Sequence, residues 1–281
     1  MANKPLVSIV IPTKNSARFL DACLASIAKQ SYAPVETIVV DGQSTDGTIE
    51  LADKWGVKVV QYDPKVKAGF FDAPFRRNYG VEKAKGKFVY YVDADMELSE
   101  SVVQEAVERC MSENYDAVII PEDSFGDGVW AQAKNLERRC YWGDDTVEAP
   151  RFVRRDVWLK LGGLDSSLGG GGDDWDFYEK LRENGYRVAR VKSLVMHNEG
   201  NLSLKRLMRK RFMYGRDSIR YISKRPTTGV KSYFPIRMAY IRNWRLFVDR
   251  PGDSCAFVVM RVAEYGAGAS GIIYSFLQGK S

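Results

Sequence analysis

The run "LVSIVI" at residues 6–11 constrains this chain more than any other feature. It is almost continuously apolar, too short for a buried helix, and it ends at Pro12 and a polar "TKN" turn. Such a run reads as a strand buried on both faces, the pattern of a parallel sheet. Similar runs recur at "VETIVVD" (35–41), "VKVVQY" (57–62), "FVYYVD" (88–93) and "DAVIIP" (116–121). Between them lie segments with helical spacing. Residues 17–30 carry Phe19, Leu20, Leu24 and Ile27, and residues 48–56 close on Gly56. A third begins near Ser99, with Val102, Val103, Ala106 and Val107 on one side. Strands alternating with helices predict an α/β fold: a mostly parallel, Rossmann-like sheet flanked by helices. Ligands then bind outside the carboxyl ends of the strands. Thr13 and Asn15, Asp41, and Asp93 and Asp95 all fall there.

The alternation stops near residue 200. Residues 203–224 read as a basic helix and 255–278 as an apolar one. From Lys205 to Arg250 there are fourteen Lys or Arg against two acids, a local +12; with a net charge of +6, the rest carries −6. An acidic body with a basic extension suits nucleic acid, anionic lipid or a phosphorylated substrate as partner. The apolar helix is not read as a membrane span. Arg261 and Glu264 interrupt it, leaving 13 uncharged residues from Tyr265 to Leu277, where about 20 are needed. The four cysteines lie far apart without a CxxC pair, and the N-terminus lacks a signal-peptide pattern, so a cytoplasmic protein is expected.

Several residues could carry chemistry. In "YVDAD" (91–95) the two aspartates are two apart, so in an extended segment their side chains share a side. A carboxylate pair at the end of a core strand suits Mg²⁺ or Mn²⁺ bound together with substrate phosphates. His197 is the one histidine of the chain. Its imidazole would suit Mn²⁺, but its distance in sequence from Asp95 gives no argument from spacing. Asp41 opens the turn "DGQSTDGT", where Ser44, Thr45 or Asp46 could cap a helix while Asp41 meets a base or ribose. No GxGxxG or GxxxxGK[ST] pattern is present, which disfavours a dinucleotide or P-loop site. Arg76 and Arg77 stand at a helix start, where a diphosphate could explain two cations and so could solvent. In "LGGGGDDWDFYEKLRENG" (168–185), two aspartates open a helix with a Trp175, Tyr178, Leu181 stripe. One acid can cap that helix, and the other is free to face a cleft and accept a proton.

These elements together resemble family 2 glycosyltransferases of the GT-A fold. The resemblance runs through "VSIVIPTKN", "VVDGQSTDGT", "RRNYG", "YVDAD", "RFVRRDVWLKLGGLD" and "GGGDDWDFYEKLRENGY", in order over residues 6–200. It implies a catalytic domain at 1–200, with a nucleotide-sugar half at about 1–98 and an acceptor half at about 99–200, followed by a helical extension at 201–281. It also implies donor binding by Pro12, Thr13, Asn15, Asp41, Arg77, Asp93, Ala94 and Asp95. Mn²⁺ or Mg²⁺ would be held by Asp95 and His197, with Asp93 nearer the ribose. The family's acidic pair supplies the catalytic base, which matches Asp174; Asp173 stands where a glutamate is usual.

The implied reaction is inverting displacement at the anomeric carbon of a nucleotide sugar, UDP preferred and GDP second. The acceptor would be a hydroxyl or phosphate on a lipid-linked glycan or polyprenyl phosphate. Residues 203–278 would then meet an anionic membrane at its inner face, or pack on the core or in a homo-oligomer. Two other readings compete. A sugar-phosphate nucleotidyltransferase would need a glycine-rich basic signature that "IPTKNSARFL" lacks, and an acidic body argues against nucleic acid as partner.

Overall fold

The computed structural model describes residues 4–63, 72–169, 172–233 and 237–279. The first half runs β1 (Val7–Thr13), α1 (Ala17–Ala28), β2 (Val35–Asp41), α2 (Thr48–Lys54), β3 (Lys58–Gln61), α3 (Ala73–Lys83), β4 (Phe88–Tyr91) and β5 (Met96–Leu98). It continues with α4 (Val102–Ser112), β6 (Ala117–Ile119), β7 (Glu122–Asp127), α5 (Gly128–Cys140), β8 (Phe152–Arg154) and α6 (Arg155–Lys160). After a short 3₁₀ turn come α7 (Asp173–Glu183), β9 (Val188–Arg190) and β10 (Val195–Asn201). The remaining elements are helical: α8 (Leu204–Lys224), α9 (Pro226–Tyr233), α10 (Met238–Arg242), α11 (Trp244–Asp249) and α12 (Pro251–Leu277).

The main sheet has the order β3-β2-β1-β4-β8-β6-β9. All seven residues of β1 are buried, as a central strand covered on both faces must be. β1 pairs in parallel with β2 and β4, while β8 is inserted antiparallel between β4 and β6. The five apolar runs of the sequence are all strands here. β4 ends at Tyr91 rather than Asp93, because the chain turns there: Met96 N donates to Asp93 O at 3.1 Å.

A second sheet, β5-β10-β7, sits beyond that turn. β10 pairs antiparallel with β5, which puts His197 opposite Met96, and parallel with β7. Asn198 N also donates to Asp95 O at 2.7 Å. Strand pairing thus brings the lone histidine to the acidic turn.

The C-terminal helices pack on this body. α12 lies along α8 and α5. Its approach to α8 is close enough that a Cβ on Gly215 would come within 2.1 Å of Gly268 O. Only glycine permits that crossing without displacing backbone. The apolar helix expected at 255–278 begins at Pro251, and over 27 residues it is long and apolar enough to cross a membrane by length and composition. A third of its most apolar stretch is nevertheless buried inside the protein.

Candidate active site

The carboxyl ends of β1 and β2 are tied together. Thr13 Oγ1 donates to Asp41 Oδ1 at 2.9 Å, and Ser44 N donates to Asp41 Oδ2 at 2.8 Å. Asp41 is therefore fully buried and organises the loop that follows it. Asn15 adopts a left-handed conformation (φ 53°), and its side-chain oxygen accepts from Thr45 N at 2.9 Å. Pro12 is buried inside β1. Of Ser44, Thr45 and Asp46, Asp46 accepts from the first backbone N–H of α2, Thr48 N, at 3.2 Å, while Gly47, whose φ of 86° suits glycine, takes the position before the helix.

Arg76 and Arg77 are both buried on α3, so neither is a solvated surface cation, and their anions are the protein's own carboxylates. Arg76 pairs with Asp72 at 2.7 Å. Arg77 is the hub of the site. Its Nη2 donates to Asp93 Oδ1 at 2.6 Å, and its Nη1 lies 3.3 Å from Asp173 and 3.6 Å from Asp174. The guanidinium stacks on the Tyr91 ring, 5.0 Å from its centre.

A second arginine, Arg151, completes the frame. It meets Asp93 Oδ2 at 3.1 Å and Glu122 at 2.9 Å, and lies 3.9 Å from Asp174 Oδ2. Burial alone would raise the Asp93 carboxyl, but Arg77 and Arg151 outweigh it and hold Asp93 well below the usual range. Glu122 is lowered in the same way by Arg151 and Arg138.

The two acids that open α7 have different surroundings. Gly172 takes the cap position, and neither aspartate caps the helix, because both side chains turn toward Arg77. Asp173 is buried. Desolvation, followed by the charge of Asp174, pushes its carboxyl up to about 7. Asp174 is partly exposed and lines a cleft of about 280 Å³ with Arg151, Glu122, Trp175, Tyr214 and Tyr233. The Tyr91 hydroxyl donates to Asp174 Oδ1 at 3.0 Å, which leaves Oδ2 toward Arg151.

A neighbouring cleft, sharing Arg138, Tyr141, Trp175, Arg211 and Tyr214, holds Asp95 and His197. His197 Nε2 lies 3.2 Å from Asp95 Oδ2. Its Nδ1 faces Arg138 at 2.9 Å and Glu122 at 3.8 Å. Burial and Arg138 oppose protonation of His197, but Asp95 and Glu122 prevail and hold it up to about 9. Ala94 is buried in the turn between the two aspartates. Arg206, Lys210 and Arg211 of α8 make the far wall cationic.

Asp95 and His197 fit a hard divalent cation, for which one carboxylate and one imidazole suffice when phosphates and water complete the shell. Among the described residues no three His, Cys, Asp or Glu side chains converge on one point. Asp93 stays with its two arginines. A cation here would therefore rely on substrate oxygens. Glu122, at the start of β7, and Arg138, on α5, lie outside every motif in the sequence, whereas Tyr91 and Arg151 open "YVDAD" and "RFVRRDVWLKLGGLD" without being singled out there.

The family model for glycosyl transferase family 2 matches residues 8–167. A "PGL/p-HBAD biosynthesis glycosyltransferase" of Mycobacterium bovis (strain BCG / Pasteur 1173P2) is 31% identical over 212 residues, covering 71% of this chain and 79% of the relative. GlyG, a glycosyltransferase of Streptococcus pneumoniae serotype 4, is 31% identical over 117 residues, 41% of this chain and 38% of its own. Among solved structures, the mannosyltransferase PcManGT of Pyrobaculum calidifontis, in complex with GDP-Man and Mn²⁺, superposes with a TM-score of 0.66 at 16% identity, over 99% of this chain and 88% of that one. S. aureus TarS 1–349 in complex with UDP gives 0.54 at 19% identity, over 97% and 91%. A structure of S. aureus TarS gives 0.55 at 16% identity, and there the match covers 92% of this chain but 54% of that one. At those identities the structures speak for the fold, which is GT-A, while the family match and the mycobacterial relative speak for kinship. This chain belongs to glycosyl transferase family 2 and is a glycosyltransferase.

Proposed function

We infer that this enzyme moves a sugar from a nucleoside-diphosphate donor to an acceptor hydroxyl or phosphate, with inversion, and that Asp174 is its base. The observation that carries this reading is the placement of Asp174. It is the partly exposed member of its pair, lines a cleft, and is held by Tyr91 at one oxygen while the other is left toward Arg151. A positioned carboxylate within reach of a hydroxyl can take its proton as that oxygen attacks. Arg77 and Arg151 orient Asp174 and keep it beside Asp93 without ligating anything themselves. Asp173 stays buried behind them and supports the arrangement.

The donor half comprises about residues 1–98, in which buried Asp41 ties Thr13 to Ser44 and Asn15 accepts from Thr45, fixing the strand ends that would meet the donor, and the acceptor half about 99–200. Asp95 and His197 would hold Mn²⁺ or Mg²⁺, which supplies charge neutralisation on the departing diphosphate. Arg206, Lys210 and Arg211 favour the same anion from α8. Residues 201–281 thus finish the site as well as following it. UDP is the preferred carrier and GDP the second, and a lipid-linked glycan or polyprenyl phosphate is the acceptor in a cytoplasmic setting. Kinship with glycosyltransferases gives no support to nucleotidyl transfer or nucleic-acid binding.

The test is a panel of UDP- and GDP-sugars with Mn²⁺, scored for release of nucleoside diphosphate. Release from one donor class, lost in Asp174→Asn, supports the reading. Release of pyrophosphate, or turnover undiminished in the variant, overturns it.

A further inference from the structure

α12 is built with its polarity reversed. Two of its three charged residues point inward, Arg261 at 7% exposure and Glu264 at 2%, while Asp253 in the first turn pairs with Arg250. The inward two form an ion-pair cluster with α5, Arg261 meeting Glu264 at 2.6 Å and Glu137 at 2.9 Å. The outward positions are apolar, with Val262 at 69% exposure, Ile273 at 59% and Phe276 at 62%. Exposed residues recur at 255, 258, 259, 262, 266, 269, 273 and 276, one stripe along the helix, and no exposed position of α12 carries a charge. At 1.5 Å per residue the stripe is about 32 Å long.

The stripe continues onto α10 and α11. A shallow open hollow lined by Tyr240, Ile241, Trp244, Phe247, Phe257 and Val258 joins them to α12, and Met238 and Val248 are exposed on the same two helices. Arg242 and Arg245 are exposed in sequence beside Ile241 and Trp244, with the Arg245 guanidinium 5.9 Å from the Trp244 ring. Apolar area of this extent on a soluble surface marks a partner.

We propose that the α10–α12 face docks onto an anionic lipid bilayer, lying in its surface. Charge selects this occupant. Arginines beside a tryptophan and an apolar stripe match headgroup phosphates above hydrocarbon. A two-fold contact between copies would instead repeat the same arginines on both sides of the interface. The ion pairs decide the orientation. Arg261 is bound to Glu137 of α5 and Glu264 lies 3.7 Å from Lys134 of the same helix, so α12 cannot leave as a span without breaking these pairs and carrying charges into hydrocarbon. The basic helix α8, which the sequence also offered to the membrane, spends Leu207 and Tyr221 on packing and Arg211 on the cleft wall.

This inference does not rest on the catalytic reading, because vesicle binding is measured without donor or turnover. The full chain is sedimented with phosphatidylcholine vesicles, with and without phosphatidylglycerol. Co-sedimentation that requires phosphatidylglycerol is expected, with at least about tenfold weaker partitioning in the Val259→Asp/Val262→Asp variant and a reduced anionic preference in Arg242→Ala/Arg245→Ala. Absence of binding to the anionic vesicles, or equal binding by the valine variant, overturns the proposal. So does a wild-type dimer in light scattering that those valine changes dissolve while vesicles bind neither form. Should the valine variant fail to fold, quenching of wild-type fluorescence by brominated lipid decides instead. Quenching that is lost in Trp244→Phe supports docking, and its absence in the wild type overturns it.

Discussion

Arg77 and Asp93 meet at 2.6 Å, joining the turn after the fourth strand to α3, and the same guanidinium also meets the two acids that open α7. One cation thus serves three carboxylates. Replacing it leaves Asp93 and Asp173 without their main counter-charge in a buried setting. Arg77→Ala is expected to cost about 3–5 kcal/mol of folding stability, read from urea unfolding. Arg77→Lys should recover only part, because an ammonium cannot fork between partners as a guanidinium does. A loss below about 1 kcal/mol for the alanine variant would show that the hub is not structural.

Asp174→Asn keeps the size of the side chain and removes its basicity. Turnover should fall about a hundred- to ten-thousand-fold while donor affinity stays within a few-fold of wild type. Steady-state kinetics with calorimetric donor binding separates the two. Equal loss of binding and turnover would assign Asp174 to the donor instead.

Asp173 makes stability depend on pH. Its carboxyl is pushed up to about 7, against 3.8 in an ordinary setting. Between those values the folded chain holds a proton that the unfolded chain has released, so this group's contribution falls as pH rises from about 4 to about 7. Asp173→Asn cannot titrate. The unfolding free energy of the variant relative to wild type should therefore rise between about pH 5 and about pH 8. A flat or falling difference in urea melts contradicts this.

Arg261 anchors α12 to α5 through buried Glu137 and also pairs with Glu264 of its own helix. Arg261→Met should destabilise the chain by about 3 kcal/mol, since it leaves two buried carboxylates to Lys134 and Arg211 alone. Adding Glu264→Gln removes one of them and should return part of the loss. A double variant no more stable than the single one would show that the damage is steric.

The fold was largely legible because β1, β2 and β4 are mostly apolar runs, and Asp41 and the acidic turn end them. β8 was not, being three residues long and antiparallel among parallel neighbours. Asp95 and Asp174 could be singled out as acids at turns. The meeting of His197 with Asp95 depends on β10 pairing with β5, a non-local register that spacing cannot express. Arg151 and Glu122 were missed for a different reason. A charge in sequence looks the same whether it ends in water or in a buried ion pair, and here both are in the latter. The doubled aspartate of 173–174 left cap and base equally open; in the structure glycine takes the cap position and the two acids share an arginine.

Asp95 and His197 are proposed to form a donor site that a divalent cation completes. The decisive experiment is calorimetric titration of UDP and GDP into the purified chain, with Mn²⁺ and then with EDTA, with Asp95→Ala run alongside. One nucleotide should bind only when Mn²⁺ is present, and at least about tenfold more weakly in the variant. Binding that is indifferent to EDTA and to Asp95→Ala, or binding of neither nucleotide with Mn²⁺ present, would contradict it.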